Sequence, residues 1–204
     1  GDAPHYLLKE IAEAPESVHK TLRGRILDSD NKLKVQLGSE TIPEAIRNAF
    51  HYKEIKRVVA IGQGTAAVAA RAIHQFLNPL LTSQEITVEA QLATELSGFL
   101  MAEDMSDTLV IAVSQSGTTT DTNRTVDLIR QRGGHIIAIV NRRGSDLVAK
   151  SHGVLYTSDG RDVEMSVAST KAFYAQVAAA VLLSSALANL IDEEQNQTDL
   201  LSAL

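Results

Sequence analysis

Five short runs of apolar and β-branched residues punctuate the chain. They are Val58-Val59-Ala60-Ile61, Ile86-Thr87-Val88, Leu109-Val110-Ile111-Ala112-Val113, Ile136-Ile137-Ala138-Ile139-Val140 and Val154-Leu155-Tyr156. Between them the apolar positions fall at helical spacing, over residues 65–77, more weakly 92–100, then 120–132 and 146–150. Strands that are apolar on both faces and alternate with helices predict a parallel sheet covered on each side. Right-handed crossovers follow from strand twist. The pattern therefore predicts an α/β layer structure with a parallel sheet of about five strands.

The flanks read differently. Residues 5–25 predict two helical pieces divided at Pro15, with Tyr6, Leu7, Ile11 and Ala14 on one stripe and Val18, Leu22 and Ile26 continuing it. Residues 24–38 are polar and turn-rich, and residues 43–52 predict a helix. A long Ala-rich helix is predicted from Ser169 to about Ile191, as an intrachain core helix or a packing face for a partner subunit. Internal repeats and low-complexity linkers are absent. The expected organisation is an N-terminal helical extension over residues 1–40, packing on one domain over residues 41–204.

Composition narrows the function. With 204 residues, 44% of them hydrophobic, the chain supports a sizeable core. A net charge of −6 and an aromatic content of 4% argue against nucleic acid as a partner. Having no cysteine, the chain can form no disulfide, thiolate metal site or cysteine nucleophile, and it is compatible with a reducing, cytoplasmic setting. The start Gly1-Asp2-Ala3-Pro4-His5 carries no signal-peptide pattern. The longest apolar stretch, residues 178–190, is short for a membrane span and is interrupted by Ser184, Ser185 and Asn189. His5, His19, His51, His74, His135 and His152 show no metal-ligand spacing, so no metal is expected.

In an open parallel sheet, ligands bind beyond the carboxyl ends of the strands. The run Ser114-Gln115-Ser116-Gly117-Thr118-Thr119-Thr120-Asp121-Thr122 follows the third strand and opens a helix. One helix cap needs one hydroxyl; this loop offers six. Unpaired N–H groups at the helix start, hydroxyls and no Lys or Arg describe a phosphate site built from neutral donors. After the first strand, Gly62-Gln63-Gly64-Thr65-Ala66-Ala67 fits G-x-G-x-x-A, with Glu89 expected to end the next strand. This second loop admits a nucleotide, a sugar or phosphate-ester contact, or a plain turn. After the fifth strand, Glu164 and Lys171 are the charges whose positions suggest a base or a substrate contact, and Ser169 or Thr170 could cap the final helix.

Three motifs in order resemble one family. His5-Tyr6-Leu7-Leu8-Lys9-Glu10-Ile11 with Pro15 and Thr21-Leu22-Arg23-Gly24-Arg25-Ile26 resembles the start of the isomerase part of the glutamine–fructose-6-phosphate aminotransferases, also called glucosamine-6-phosphate synthases. Ser114-Gln115-Ser116-Gly117 with Thr119, Asp121 and Thr122 resembles the family's sugar-phosphate loop. Val167-Ala168-Ser169-Thr170-Lys171-Ala172-Phe173 resembles its motif before the long helix. The resemblance covers nearly the whole chain and points to the first sugar isomerase (SIS) domain of that isomerase part.

The resemblance implies a flavodoxin-like αβα sandwich. It also implies that Ser114, Gln115, Ser116 and Thr119 grip the phosphate of fructose 6-phosphate or glucosamine 6-phosphate. Gly64 and Thr65 would lie beside the sugar, and Val167 would touch it through its backbone. The family's C-G-T-S appears here as Gln63-Gly64-Thr65-Ala66, and its A-S-E-F-R as Ala93-Thr94-Glu95-Leu96-Ser97. In the family, a glutaminase domain and a second SIS domain supply the ammonia and the acid–base groups. No cofactor is implied, a homodimer is, and the acid–base residues are not assigned in this chain. A regulatory sugar-phosphate sensor, a paralogous isomerase or deaminase, and a dinucleotide-dependent oxidoreductase are the alternative classes.

Overall fold

A computed structural model of the chain describes residues 3–29, 32–81, 84–166, 169–192 and 197–204. The chain begins with α1 (Tyr6–Ala12) and α2 (Ala14–Leu22), then β1 (Ile26–Ser29) and β2 (Lys32–Val35), which pair as an antiparallel hairpin. The main layer structure follows as α3 (Glu44–His51), β3 (Arg57–Gly62), α4 (Thr65–Leu81), β4 (Thr87–Leu92), α5 (Ala93–Glu95) and β5 (Thr108–Ser114). It continues as α6 (Thr120–Gln131), β6 (His135–Val140), α7 (Asp146–Lys150), β7 (Gly153–Tyr156), α8 (Lys171–Asn189) and α9 (Thr198–Ser202).

The central sheet has the order β4-β3-β5-β6-β7, with every neighbouring pair parallel. The five parallel strands are those expected from the apolar runs, and their order is the flavodoxin-like one that the family resemblance implies. Successive residues of one strand face opposite sides. Val58, Ala60, Leu109, Ile111, Val113, Ile137 and Ile139 join a core with Ile46 and Phe50 of α3, Ile73 and Leu77 of α4, and Leu183 and Leu187 of α8. Val59, Ile61, Val110, Ala112, Ile136, Ala138 and Val140 join a second core with Val126 and Ile129 of α6 and Leu147 of α7. Two cores, one on each face, explain why the strands read as continuous apolar runs. α8 is apolar all round because it is covered all round, by α4 on one side and α2 on another. It is also the one described helix long and apolar enough to cross a membrane, but 78% of that window is buried in the fold.

Four local expectations need correction. The two N-terminal helices divide at Glu13, not Pro15; Pro15 is inside the first turn of α2, where its missing N–H breaks no helical bond. The polar stretch 24–38 contains the β1–β2 hairpin. The segment 92–100 is not one helix: β4 runs to Leu92, then the short α5 leads into a wider turn of π type over Leu96–Leu100. Glu89 sits three residues before the end of β4, opposite Val59, and its carboxylate is 3.4 Å from Arg57.

The chain order reverses between β3 and β5. β3 leads outward to β4 on one side, and β5 begins the walk through β6 and β7 on the other. The carboxyl ends of β3 and β5 therefore flank the topological switch point of the sheet, where open α/β sheets form their ligand crevice.

Candidate functional site

A cleft of about 230 Å³ opens at this switch point. Its lining comes from three places: Gln63, Thr65 and Ala66 after β3, Val113 and Ser114 at the end of β5 with Gln115, Ser116 and Thr119 after it, and Ser169 and Gln176 from α8 and its approach. The N-terminal ends of α4 and α6 border it through Thr65, Ala66 and Thr119. A helix N-terminus brings unpaired N–H groups and a partial positive charge; the start of α8 borders the cleft through Ser169 but is closed by the Glu164 carboxylate.

The geometry of the β5–α6 loop is set by its own hydroxyls and by its neighbours. Ser114 Oγ accepts the Gly117 N–H at 3.1 Å, and Ser116 Oγ accepts the Thr118 N–H at 3.2 Å. Those bonds use hydroxyl lone pairs, so the Ser114 and Ser116 protons stay available to an acceptor. Thr119 is the N-cap of α6, yet its side chain caps nothing; its Oγ1 lies 3.4 Å from Ser114 Oγ. From outside, Asn123 Nδ2 donates to the carbonyls of Gly117 (3.0 Å) and Thr119 (3.1 Å). The N–H groups of Asn141 and Arg142 donate to Gln115 O, and Leu147 N–H to Gly117 O. With the carbonyls of Gln115, Gly117 and Thr119 bound by their neighbours, the hydroxyl residues Ser114, Ser116 and Thr119 line the cleft. Gly117 has φ +66°, and a Cβ there would stand 2.7 Å from Ser145 Cβ, so glycine is required on both counts.

The β3–α4 loop approaches closely for a related reason. A Cβ on Gly62 would come within 2.6 Å of the Ala66 carbonyl, so glycine lets β3 run straight into the first turn of α4. Gly64 follows at φ +60° and places Thr65 at the head of α4.

Of the residues singled out in the sequence, Thr65, Ser114, Gln115, Ser116 and Thr119 line this one cleft; Gly64 is not in its lining but lies in the chain between the lining residues Gln63 and Thr65. Val167 lies outside the described residues. Glu164 and Lys171 do not line the cleft. The Glu164 carboxylate accepts the N–H groups of Thr170 (2.7 Å) and Ala172 (3.3 Å) and the hydroxyls of Ser169 (3.1 Å) and Thr170 (3.0 Å). It closes the start of α8 and fixes Ser169. The Lys171 ammonium pairs with Glu13 at 2.6 Å. Sequence reasoning missed Gln176, which is hidden among the apolar residues of α8, and gave Gln63 no role of its own beyond its place in the Gly62–Ala67 loop and its departure from a family motif.

Every described residue in the cleft's lining is neutral and non-titratable. The arrangement can hold a dianion by hydroxyls, backbone N–H groups and the ends of α4 and α6, and among the described residues it brings no side-chain acid or base to the ligand.

A model of the SIS domain family matches residues 51–186. The glutamine–fructose-6-phosphate aminotransferase (isomerizing) of Streptomyces coelicolor is 37% identical over 185 residues, which are 88% of this chain and 27% of that protein. The corresponding protein of Corynebacterium glutamicum is 38% identical over 187 residues, 91% of this chain and 27% of that one. Among solved structures, the C-terminal domain of glucosamine-fructose-6-phosphate aminotransferase from Francisella tularensis superposes with a TM-score of 0.79 at 25% identity, over 97% of this chain and 52% of that one. The chain thus spans just over a quarter of the length of these relatives and about half of the solved domain.

Proposed function

The chain belongs to the SIS domain family, and from that premise we propose that it is the sugar-phosphate-binding half of the isomerase part of a glutamine–fructose-6-phosphate aminotransferase. The observation that carries the reading is the convergence of the α4 and α6 N-termini and the hydroxyls of residues 114–119 on one neutral cleft at the switch point. Such a surface suits a phosphate monoester. The reading is supported as well by the names of the relatives, which match along most of this chain.

In this proposal the phosphate of fructose 6-phosphate rests on Ser114, Gln115, Ser116 and Thr119, with the carbon chain beside Gly64, Thr65 and Val167. Making glucosamine 6-phosphate requires ammonia to add at the carbonyl carbon and a proton to move between adjacent carbons. That proton step needs a positioned acid or base, and the described lining holds none. The role of this segment is then to bind and orient, with a glutaminase domain and a second SIS domain supplying ammonia and acid–base groups. Residues 1–40 are read as an extension that packs on the domain formed by residues 41–204, in a cytoplasmic homodimer.

The same neutral lining fits a second reading, a sugar-phosphate sensor that binds without chemistry. The test of the main proposal is a titration of the chain with fructose 6-phosphate, followed through the amide signals of Gln115, Ser116 and Gly117. Saturable shifts there, with no glucosamine 6-phosphate formed when ammonia is added, are the expected result. Shifts confined to other surfaces, or turnover by the chain alone, contradict it.

A further inference from the structure

Two carboxamides in the cleft have chemistry unlike the rest of its lining. Gln176 is 2% exposed, lies on the face of α8 that borders the cleft, and its Oε1 is buried with no hydrogen-bond partner among the described residues. Gln63, on the β3–α4 loop, lines the same cleft, and its Oε1 is also buried and unpartnered. A buried carbonyl oxygen left without a donor costs free energy, and such groups are satisfied by protein donors, ordered water or a ligand; these two share one cleft.

A carboxamide oxygen only accepts hydrogen bonds. The dianion of a phosphate ester has acceptors and no donor and cannot satisfy it; a hydroxyl can. The cleft therefore has a donor part, formed by residues 114–119 and the helix ends, and an acceptor part formed by the two glutamines. A ligand that fits both carries a phosphate and free hydroxyls on one short chain. Resting on the sugar-phosphate reading above, we infer that Gln63 and Gln176 read the hydroxyl groups of the bound polyol phosphate and set specificity for them. Each amide NH₂ can in turn donate to the same hydroxyl oxygens, which makes the contact reciprocal.

Calorimetry with three ligands tests this: fructose 6-phosphate, butyl phosphate, which has the ester and no hydroxyl, and inorganic phosphate. The variants are Gln176→Leu, Gln63→Met and, as a reference, Ser116→Ala. Both glutamine variants are expected to lose about tenfold or more in affinity for fructose 6-phosphate and to stay within about twofold for the other two ligands. Ser116→Ala is expected to weaken all three. Gln176→Leu removes an unsatisfied polar group from a buried site, so its melting temperature should not fall below that of the parent chain. If it does not fold, Gln63→Met on the loop decides alone.

Unchanged fructose 6-phosphate affinity in the glutamine variants, while Ser116→Ala still weakens it, overturns this inference and leaves the phosphate site standing. Equal losses for all three ligands also overturn it, because the glutamines would then serve the phosphate. Absence of fructose 6-phosphate binding by the parent chain removes both readings together.

Discussion

The Lys171 ammonium lies 2.6 Å from Glu13 Oε2 and joins the junction of the two N-terminal helices to the first residue of α8. It is one of several such ties. Glu10 accepts the N–H groups of Met165 (2.5 Å) and Ser166 (3.2 Å), and Thr21 Oγ1 accepts the Ser158 N–H at 2.9 Å. Ser17 donates to Asp162, whose carboxylate also accepts from Ser158 at 2.6 Å. Together these contacts hold the segment that leads to Ser169, and so to the cleft, against the helical extension.

Glu13→Gln leaves the Lys171 ammonium, with a side chain 8% exposed, without its carboxylate. Breaking a fully buried pair from one side costs roughly 3–5 kcal/mol. Glu13 itself is 37% exposed, so solvent screening reduces the expected loss to about 1–3 kcal/mol. Urea denaturation measures it. A change below about 0.5 kcal/mol would mean that the pair does not anchor the extension.

Acid should release the same clamp. Glu13 is held below its ordinary value of 4.5, chiefly by the hydrogen bond from Lys171. For Glu10 and Asp162, burial pushes the other way, but hydrogen bonds outweigh it: from Ser166 and Met165 to Glu10, and from Ser158 and Ser17 to Asp162. Because the folded values lie below the unfolded ones, this stabilisation is complete above pH 4.5 and is lost as pH falls through the folded values. Denaturation midpoints between pH 7 and pH 3 should fall more steeply for the parent chain than for Glu13→Gln. Parallel curves would contradict the assignment.

At the far end of the sheet, His135 and His152 shift in the sense of neutral imidazoles. Burial lowers both pKa values from 6.5, and His152 Nδ1 accepts the Ile136 N–H at 2.9 Å, a bond that protonation removes. The unfolded chain takes up these protons first, so stability should decline as pH drops below 6.5 toward the folded values and level off beneath them. Imidazole signals followed by NMR should titrate below pH 6.5. Titration above that value would contradict the account.

Gly117→Ala tests the loop without touching a hydroxyl. At φ +66° a side chain costs roughly 1–2 kcal/mol, and its Cβ would crowd Ser145 and lie 3.0 Å from Val140 Cγ2. Stability and fructose 6-phosphate affinity should fall together. Retained affinity with normal stability would show that the loop tolerates other shapes.

Much of this architecture was legible because the strands are buried on both faces, so their apolar runs stand out from the amphipathic helices around them. The Ser114–Thr119 loop was legible as a candidate because it holds more hydroxyls than capping can use, and in the fold the Thr119 side chain makes no capping bond. The β1–β2 hairpin was not, since its strands are short and β2 alternates between exposed and half-buried positions, which gives little apolar signal. Pro15 looked like a break because sequence does not reveal that it falls in the first turn of a helix. Gln176 was silent for a different reason: only the orientation of α8 turns that one position toward the cleft. Glu164 looked available for chemistry, but its oxygens are taken up by the start of α8.

The central claim is that neutral donors of the β5–α6 loop hold a phosphate ester. The most direct measurement is the calorimetric affinity of Ser116→Ala/Thr119→Ala for fructose 6-phosphate, with folding checked by circular dichroism. A hydrogen bond to a charged group contributes about 1.5–3 kcal/mol, and neighbouring losses are not strictly additive. The account predicts a fall of more than about tenfold; an unchanged dissociation constant in a folded variant would contradict it.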